Sequence, residues 1–210
     1  MGQFDSSTLR LLLSGGSPIA EALVRQTMET FGCEFAQGYG LTETSPYVTL
    51  SLLKDHLHNL STDEQVRYLS TAGREFIAAQ VRVVDEKGND VKPDGRQVGE
   101  VIMRGDTVTK GYWKLPELTR QSFQDGWLYS GDLAVIDEEG YLTIVDRKRD
   151  VIFPGGEPVY SVPVENVLYS HPTVLEAAVI GVPDERLGQA VKAVVAVSYT
   201  HLRAHETKAN

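Results

Sequence analysis

The stretch Gly126–Asp150, GWLYSGDLAVIDEEGYLTIVDRKRD, organises the reading of this 210-residue chain. It opens as a tight loop ending in a carboxylate, continues as a hairpin and closes in alternating charges. Leu133–Asp137 and Tyr141–Val145 are rich in β-formers, and Glu138-Glu139-Gly140 between them is a turn signal with Gly where positive φ is easy. Such a hairpin holds Asp132 at one end and Arg147 at the other, on one rim. An acid that accepts two hydroxyl hydrogen bonds beside a cation suits a nucleotide's ribose and phosphate. The same letters also fit an acidic turn followed by a solvated charge run, and pattern alone leaves both open.

Composition narrows the classes around that stretch. With 210 residues and 41% hydrophobic content, the chain can bury a core and hold one or two domains. A net charge of -9 argues against nucleic acid or an anionic membrane as the main partner. The single cysteine, Cys33, excludes an internal disulfide and fits a reducing compartment. No apolar run is long enough to span a bilayer, and Met1-Gly2-Gln3-Phe4 lacks the basic and apolar regions of a signal peptide. A soluble, cytoplasmic protein without a transmembrane segment is the expectation.

Upstream, Leu9–Leu13 reads as a buried strand running into Ser14-Gly15-Gly16-Ser17-Pro18. Ser17 is placed to cap the next helix, Pro18 suits its first position, and Gly32 is placed to end it. Strand, glycine turn and helix start form either an anion or ligand site or a plain βα connection. In EFAQGYGLTE, residues 34–43, a short strand runs into a loop where Gly38 and Gly40 flank Tyr39. Tyr39 can stack on a flat base and Glu43 can hold a hard cation such as Mg²⁺. A polar turn with a half-buried tyrosine is the plainer alternative.

Between 54 and 69 the chain is polar. His56 and His58 lack a third metal ligand nearby, and Ser61 with Glu64 forms a capping box for a helix through Leu69. From Ala78 the period changes to strands, QVRVVD and GEVIMRG, around a turn at Lys87-Gly88-Asn89. These closely spaced strands predict a small, barrel-like β subdomain. A brief helix is expected from Pro116 to Phe123. Beyond Arg149, Pro154-Gly155-Gly156 reads as a flexible break, Pro163–Tyr169 as a helix, and Val174–Val182 and Ala190–Val197 as strands. From Ser198 the apolar pattern stops, and 198–210 is set apart as a non-native tail resembling translated adapter sequence.

Six segments in this order resemble the adenylate-forming (AMP-binding) superfamily of acyl-CoA synthetases, luciferases and peptide-synthetase adenylation domains. They are SGGSP at 14–18, QGYGLTE at 37–43, GEVIMRGDTVTKGYW at 99–113, GWLYSGD at 126–132, DRKRDVIFPGG at 146–156 and HPTVLEAAVIGVPDERLGQ at 171–189. The resemblance implies an α/β (mixed α+β) fold. Residues 1–147 would be the C-terminal portion of the large AMP-binding domain, with the β-rich subdomain at about 74–147. A hinge and a partial small C-terminal α/β domain would follow at 148–197. The implied activity is that of an acid–thiol ligase: carboxylate plus ATP gives acyl-adenylate and pyrophosphate, and coenzyme A then takes the acyl group.

By the same resemblance, Tyr39 and the Gly15-Gly16 turn flank the adenine, and Ser17 and Gly40 count among the nucleotide-binding residues. Thr42 binds the α-phosphate, Glu43 helps hold Mg²⁺, and Asp132 takes the ribose hydroxyls. Ile144 lies against the nucleotide, and Arg147 lies near ribose or phosphate. Lys148 and Arg149 form the hinge, and Gly155 and Gly156 let pantetheine pass. ATP, Mg²⁺, coenzyme A and a small carboxylic acid are the implied cofactor and substrates. The family's Ser/Thr/Gly-rich phosphate loop would lie upstream of Met1, and its C-terminal lysine is not matched by Lys208. The chain is therefore expected to be an internal fragment, inactive alone, of an acyl-CoA synthetase. Alternatives are a non-catalytic nucleotide-binding or structural remnant, or another adenylate-forming enzyme such as an amino-acid-activating domain. Pro154, Pro158 and Pro163 depart from the pattern and bear on loop mobility. Acid specificity and oligomeric state are not carried by these residues.

Overall fold

The computed structural model describes residues 5–198. The expectation of a non-native tail therefore falls, apart from Ser198, outside the described residues. The fold divides between Val151 and Ile152 into two compact units.

The first unit begins with a four-stranded sheet. Its strands β1 (Leu11–Gly15), β2 (Glu34–Gly40), β3 (Tyr47–Leu50) and β4 (Arg74–Glu75) lie in that order. β1 runs parallel to β2, and the other pairs are antiparallel. Two helices, α1 (Glu21–Phe31) and α2 (Thr62–Leu69), bury Val24, Val66 and Leu69 with Phe35. Gly32 ends α1 in the left-handed region, its N–H reaching Met28 O at 2.9 Å, as its position in the sequence predicts. Ser61 and Glu64 form the expected capping box on α2.

Three local expectations give way here. Ser17 does not cap α1, which starts at Glu21 behind an uncapped Ala20. Pro18 disfavours a helical Ser17, and the Ser17 carbonyl instead accepts from Gln37 Nε2 at 2.7 Å. The residues Gly38, Tyr39 and Gly40 lie inside β2 rather than in a loop, because β3 pairs with them from Tyr47 to Leu50. β1 is a strand but not a buried one: Leu11 and Leu13 are 45% and 46% exposed. It pairs with β2 alone among the described residues, and apolar content does not report whether a covering layer exists.

The second sheet is antiparallel and contains β5 (Ala79–Val84), β6 (Gly99–Gly105), β7 (Phe123–Gln124), β8 (Trp127–Ile136) and β9 (Leu142–Arg147). A short helix, α3 (Pro116–Ser122), leads into it with Pro at its first position. Val83, Val101, Met103, Leu128, Ala134 and Leu142 make its core together with Val48 of β3. Backbone bonds Ala72 N–H to Leu142 O and Leu142 N–H to Gly73 O, both 2.8 Å, join the two sheets. The result is a curled half-barrel that carries the β8–β9 hairpin across its wall.

The second unit holds α4 (Ser161–Tyr169) against the antiparallel pair β10 (Val174–Asp184) and β11 (Gly188–Val197). Glu165 Oε1 accepts the Val179 N–H at 2.8 Å and so ties helix to strand. The Pro154-Gly155-Gly156 stretch is not an open break. It forms a 3-10 turn whose Gly155 N–H bonds to Leu187 O at 2.9 Å, a contact supplied from 32 residues away. No helix among the described residues is long and apolar enough to cross a membrane.

Candidate nucleotide site

The sheet order brings two separated motifs together. β2 carries Tyr39 beside the half-barrel core, and its hydroxyl donates to Asp132 Oδ2 at 2.9 Å. On the hairpin, Asp132 of β8 stands directly opposite Arg147 of β9. The guanidinium Nε lies 3.4 Å from Asp132 Oδ1. Each carboxylate oxygen therefore has its own partner, one neutral donor and one cation.

The backbone before Asp132 is held with equal care. Gly131 has φ 76°, a left-handed conformation that a side chain would disfavour. Its N–H donates to Glu100 Oε1 at 3.1 Å. Ser130 Oγ donates to Val101 O at 2.7 Å and accepts the Asp132 N–H at 3.0 Å. A register shift between Leu133 and Ala134 follows at once, a bulge of the kind that re-aims side chains.

Asp132 is only 6% exposed, and burial raises its pKa above the ordinary carboxylate value. The Tyr39 phenol and Arg147 oppose that rise without cancelling it. Tyr39 is pushed well above its usual value, first by burial and then by the Asp132 charge. The phenol thus stays protonated and remains a donor.

Glu43 follows on a 3-10 turn, Thr42–Thr44, directly after β2 and Leu41. Thr44 Oγ1 fixes that turn by accepting from Leu41 N–H at 2.8 Å and donating to Pro46 O at 2.6 Å. Glu43 Oε1 accepts from the Tyr112 hydroxyl at 2.8 Å, while its carbonyl accepts the Thr109 N–H at 2.7 Å. Thr42 is exposed beside it. No group of three or more His, Cys, Asp or Glu that could hold a metal occurs among the described residues. One carboxylate on a fixed turn still fits Mg²⁺, which is commonly held by one or two carboxylates plus substrate phosphates and waters. His56, itself exposed, lies 3.2 Å from the half-buried Glu139 instead.

The remaining predicted residues fall as follows. Gly40 ends β2, and Ile144 packs half-buried against the core. Gly15 ends β1 opposite Gly38, and a Cβ on it would come within 2.8 Å of the Tyr47 ring. Gly16 and Ser17 follow in the connection to α1, beside Gln37. Lys148 stays with the first unit through its N–H to Gly131 O at 2.8 Å, and Arg149 is largely exposed. Gly155 and Gly156 belong to the second unit.

Sequence reasoning missed Gln37, Glu100, Tyr112 and Ser130. Each lies inside a motif already quoted, so the signal was present in the letters. Their roles were not, because the partners are remote: Tyr112 is 69 residues from Glu43.

The profile of the family described as AMP-binding enzyme matches residues 2–113, and that of the AMP-binding enzyme C-terminal domain matches 163–209. The chain belongs to the AMP-binding enzyme family. It is 43% identical over 189 residues to a long-chain-fatty-acid–CoA ligase of Thermus thermophilus, covering 90% of this chain and 35% of that protein. Its fold is similar to the amide bond synthetase of Marinactinospora thermotolerans at a TM-score of 0.81 and 35% identity, over 95% of this chain and 38% of the other. It is also similar to the Bacillus subtilis O-succinylbenzoate coenzyme A synthetase in complex with ATP and magnesium, at a TM-score of 0.75 and 32% identity, over 94% and 38%. The chain spans about a third of the length of the curated relatives it matches.

Proposed function

We propose that this chain supplies the nucleotide-holding portion of an ATP-dependent acyl-CoA synthetase. The observation that carries the reading is the Tyr39–Asp132–Arg147 constellation, with Glu43 on the turn that follows the Tyr39 strand. In the proposed reaction a carboxylate oxygen attacks the α-phosphorus of ATP, pyrophosphate leaves, and a thiol then displaces AMP from the acyl carbon. Asp132 accepts from the ribose hydroxyls, displacing one or both of its present partners. Arg147 turns toward ribose or phosphate, and the Tyr39 ring offers a face to the adenine. Thr42 donates to the α-phosphate. Gly15, Gly16, Ser17 and Gly40 shape the adenine side, and Ile144 supplies apolar contact. These groups act by positioning and by stabilising charge on the five-coordinate phosphorus. Glu43 is the residue that would hold Mg²⁺, which when bound neutralises phosphate charge.

Coenzyme A as acceptor is supported by the similarity to CoA ligases. The likeness to an amide bond synthetase favours a second acceptor class, an amine. Both share the adenylation half-reaction, which is the stage these residues serve. Lys148 and Arg149 are the proposed hinge.

The direct test is adenylate binding by the purified 210-residue chain. AMP should raise the thermal midpoint in a dose-dependent way, and 2′,3′-dideoxy-AMP should bind about tenfold to a hundredfold more weakly, since hydrogen bonds to a charged acceptor are strong. Equal binding of the two nucleotides, or none of either, would overturn the ribose assignment.

Tyr112 has a consequence for the metal. Tyr112→Phe removes the donor to Glu43 Oε1 while keeping the ring, so the fold should melt as before. The Mg²⁺ concentration needed for half-maximal ATP binding should rise about tenfold, the usual effect of losing a group that orients a ligand carboxylate. Calorimetry at varied Mg²⁺ reads this, and an unchanged requirement would show that Tyr112 serves packing alone.

A further inference from the structure

Glu100 lies on β6 and is not itself among the residues that the nucleotide reading uses, yet its side chain is only 12% exposed. Both of its oxygens are engaged. Oε1 accepts the Gly131 N–H at 3.1 Å, the amide just before Asp132. Oε2 accepts from Lys148 Nζ at 2.9 Å, the residue just after Arg147. A third bond closes the figure, Lys148 N–H to Gly131 O at 2.8 Å. Past this point the character changes. Arg149 is 75% exposed, and its guanidinium pairs only loosely, at 3.6 Å, with its exposed neighbour Asp150.

We infer that Glu100 is a positioning residue that clamps the Asp132 loop and Lys148 into one rigid piece. One side chain then fixes the left-handed Gly131 amide, and with it the direction of the Asp132 carboxylate. The same side chain holds the first residue after the hairpin, so of the two proposed hinge residues Lys148 stays with the Asp132 loop and turning begins at Arg149. The chemistry favours such a clamp. A nearly buried carboxylate needs partners for both oxygens, and an amide plus an ammonium satisfies them without a further residue. The clamp stands on the apo geometry. Its bearing on adenylate binding rests on the proposed function above.

Limited trypsin digestion of the 210-residue chain tests it, with peptide mapping of the cut after Arg147. That bond is cleaved only when Arg147 and Lys148 leave the hairpin end together. Glu100→Gln keeps an acceptor for Gly131 but loses the ion pair, and Lys148→Met loses it from the other side. Each should speed cleavage after Arg147 by about two- to fivefold, the effect of an ion pair whose lysine is 62% exposed. The double variant should be no faster than either single one, because both remove the same contact. Cleavage after Arg67, on α2, should stay unchanged and so separates local release from general loosening. Additive effects, or equal acceleration at Arg67, would overturn the clamp. In a second arm Glu100→Gln should weaken AMP several-fold. The digestion needs no nucleotide, so a chain that binds no AMP sinks the proposed function and leaves the digestion to decide the role of Glu100.

Discussion

Asp132→Asn is expected to stabilise the first unit and abolish most of its adenylate affinity in the same variant. The carboxylate is buried at 6% exposure, and burial raises its pKa despite Tyr39 and Arg147. Holding it charged therefore costs the fold something. A group with a raised folded pKa contributes stability that is complete below the unfolded value and lost as pH rises through the folded one. The penalty thus appears above the ordinary carboxylate range and grows as the pH rises. Asn removes the charge and keeps an oxygen for the Tyr39 hydroxyl. The thermal midpoint of the Asn variant at pH 8 should lie above that of the parent. The gap between variant and parent should close as the pH is lowered toward 4. Affinity for AMP should fall about tenfold to a hundredfold, since Asn offers one acceptor where the ribose diol meets two. Melts from pH 4 to 8 and calorimetry with AMP read both effects. A lower midpoint at pH 8 would show that the Arg147 pair outweighs burial, and unchanged affinity would remove Asp132 from the site.

The largest loss of stability is expected at Tyr141, at the far end of the same hairpin. Its side chain is 1% exposed and packs on Tyr68 with ring centroids 4.8 Å apart, while Arg74 lies over the ring at 5.6 Å. The hydroxyl donates to Leu52 O at 2.8 Å and accepts the Lys54 N–H at 3.1 Å, so it anchors the 52–54 loop to the half-barrel. Lys54 adds an ion pair at 2.9 Å to Glu139 in the turn. Tyr141→Ala empties an aromatic site, which costs about 3–5 kcal/mol. For a unit of about 150 residues that is a drop of roughly 10 °C or more in the thermal midpoint. Tyr141→Phe keeps the packing and should lose only about 1–2 kcal/mol, the cost of leaving two partly buried backbone groups without their partner. At 10 °C, well below either midpoint, the Phe variant should bind AMP as the parent does, because Asp132 and Tyr39 lie at the other end of the strands. A phenylalanine variant as damaged as the alanine one would place the energy in the hydrogen bonds and not in the ring.

The sequence by itself determined the features whose causes lie within a few residues. The Ser61–Glu64 capping box, Gly32 at the end of α1, Pro116 opening α3 and the Glu138–Gly140 turn are each settled by local sterics and local hydrogen bonds. The order of six motifs also carried the family, since order and spacing are sequence properties. Tertiary structure alone decided which groups meet. Tyr39 and Asp132 are 93 residues apart, and Glu100 and Lys148 are 48 apart. Those contacts follow from the strand order β5-β6-β8 and from the closing of two sheets on each other, which no local period encodes. The same reason explains the misplaced expectations. Ser17 gave its carbonyl to Gln37, and Gly38–Gly40 became strand because β3 came to pair with them. The Gly155 turn was held by Leu187, and β1 stayed exposed because a strand's burial belongs to the layer above it.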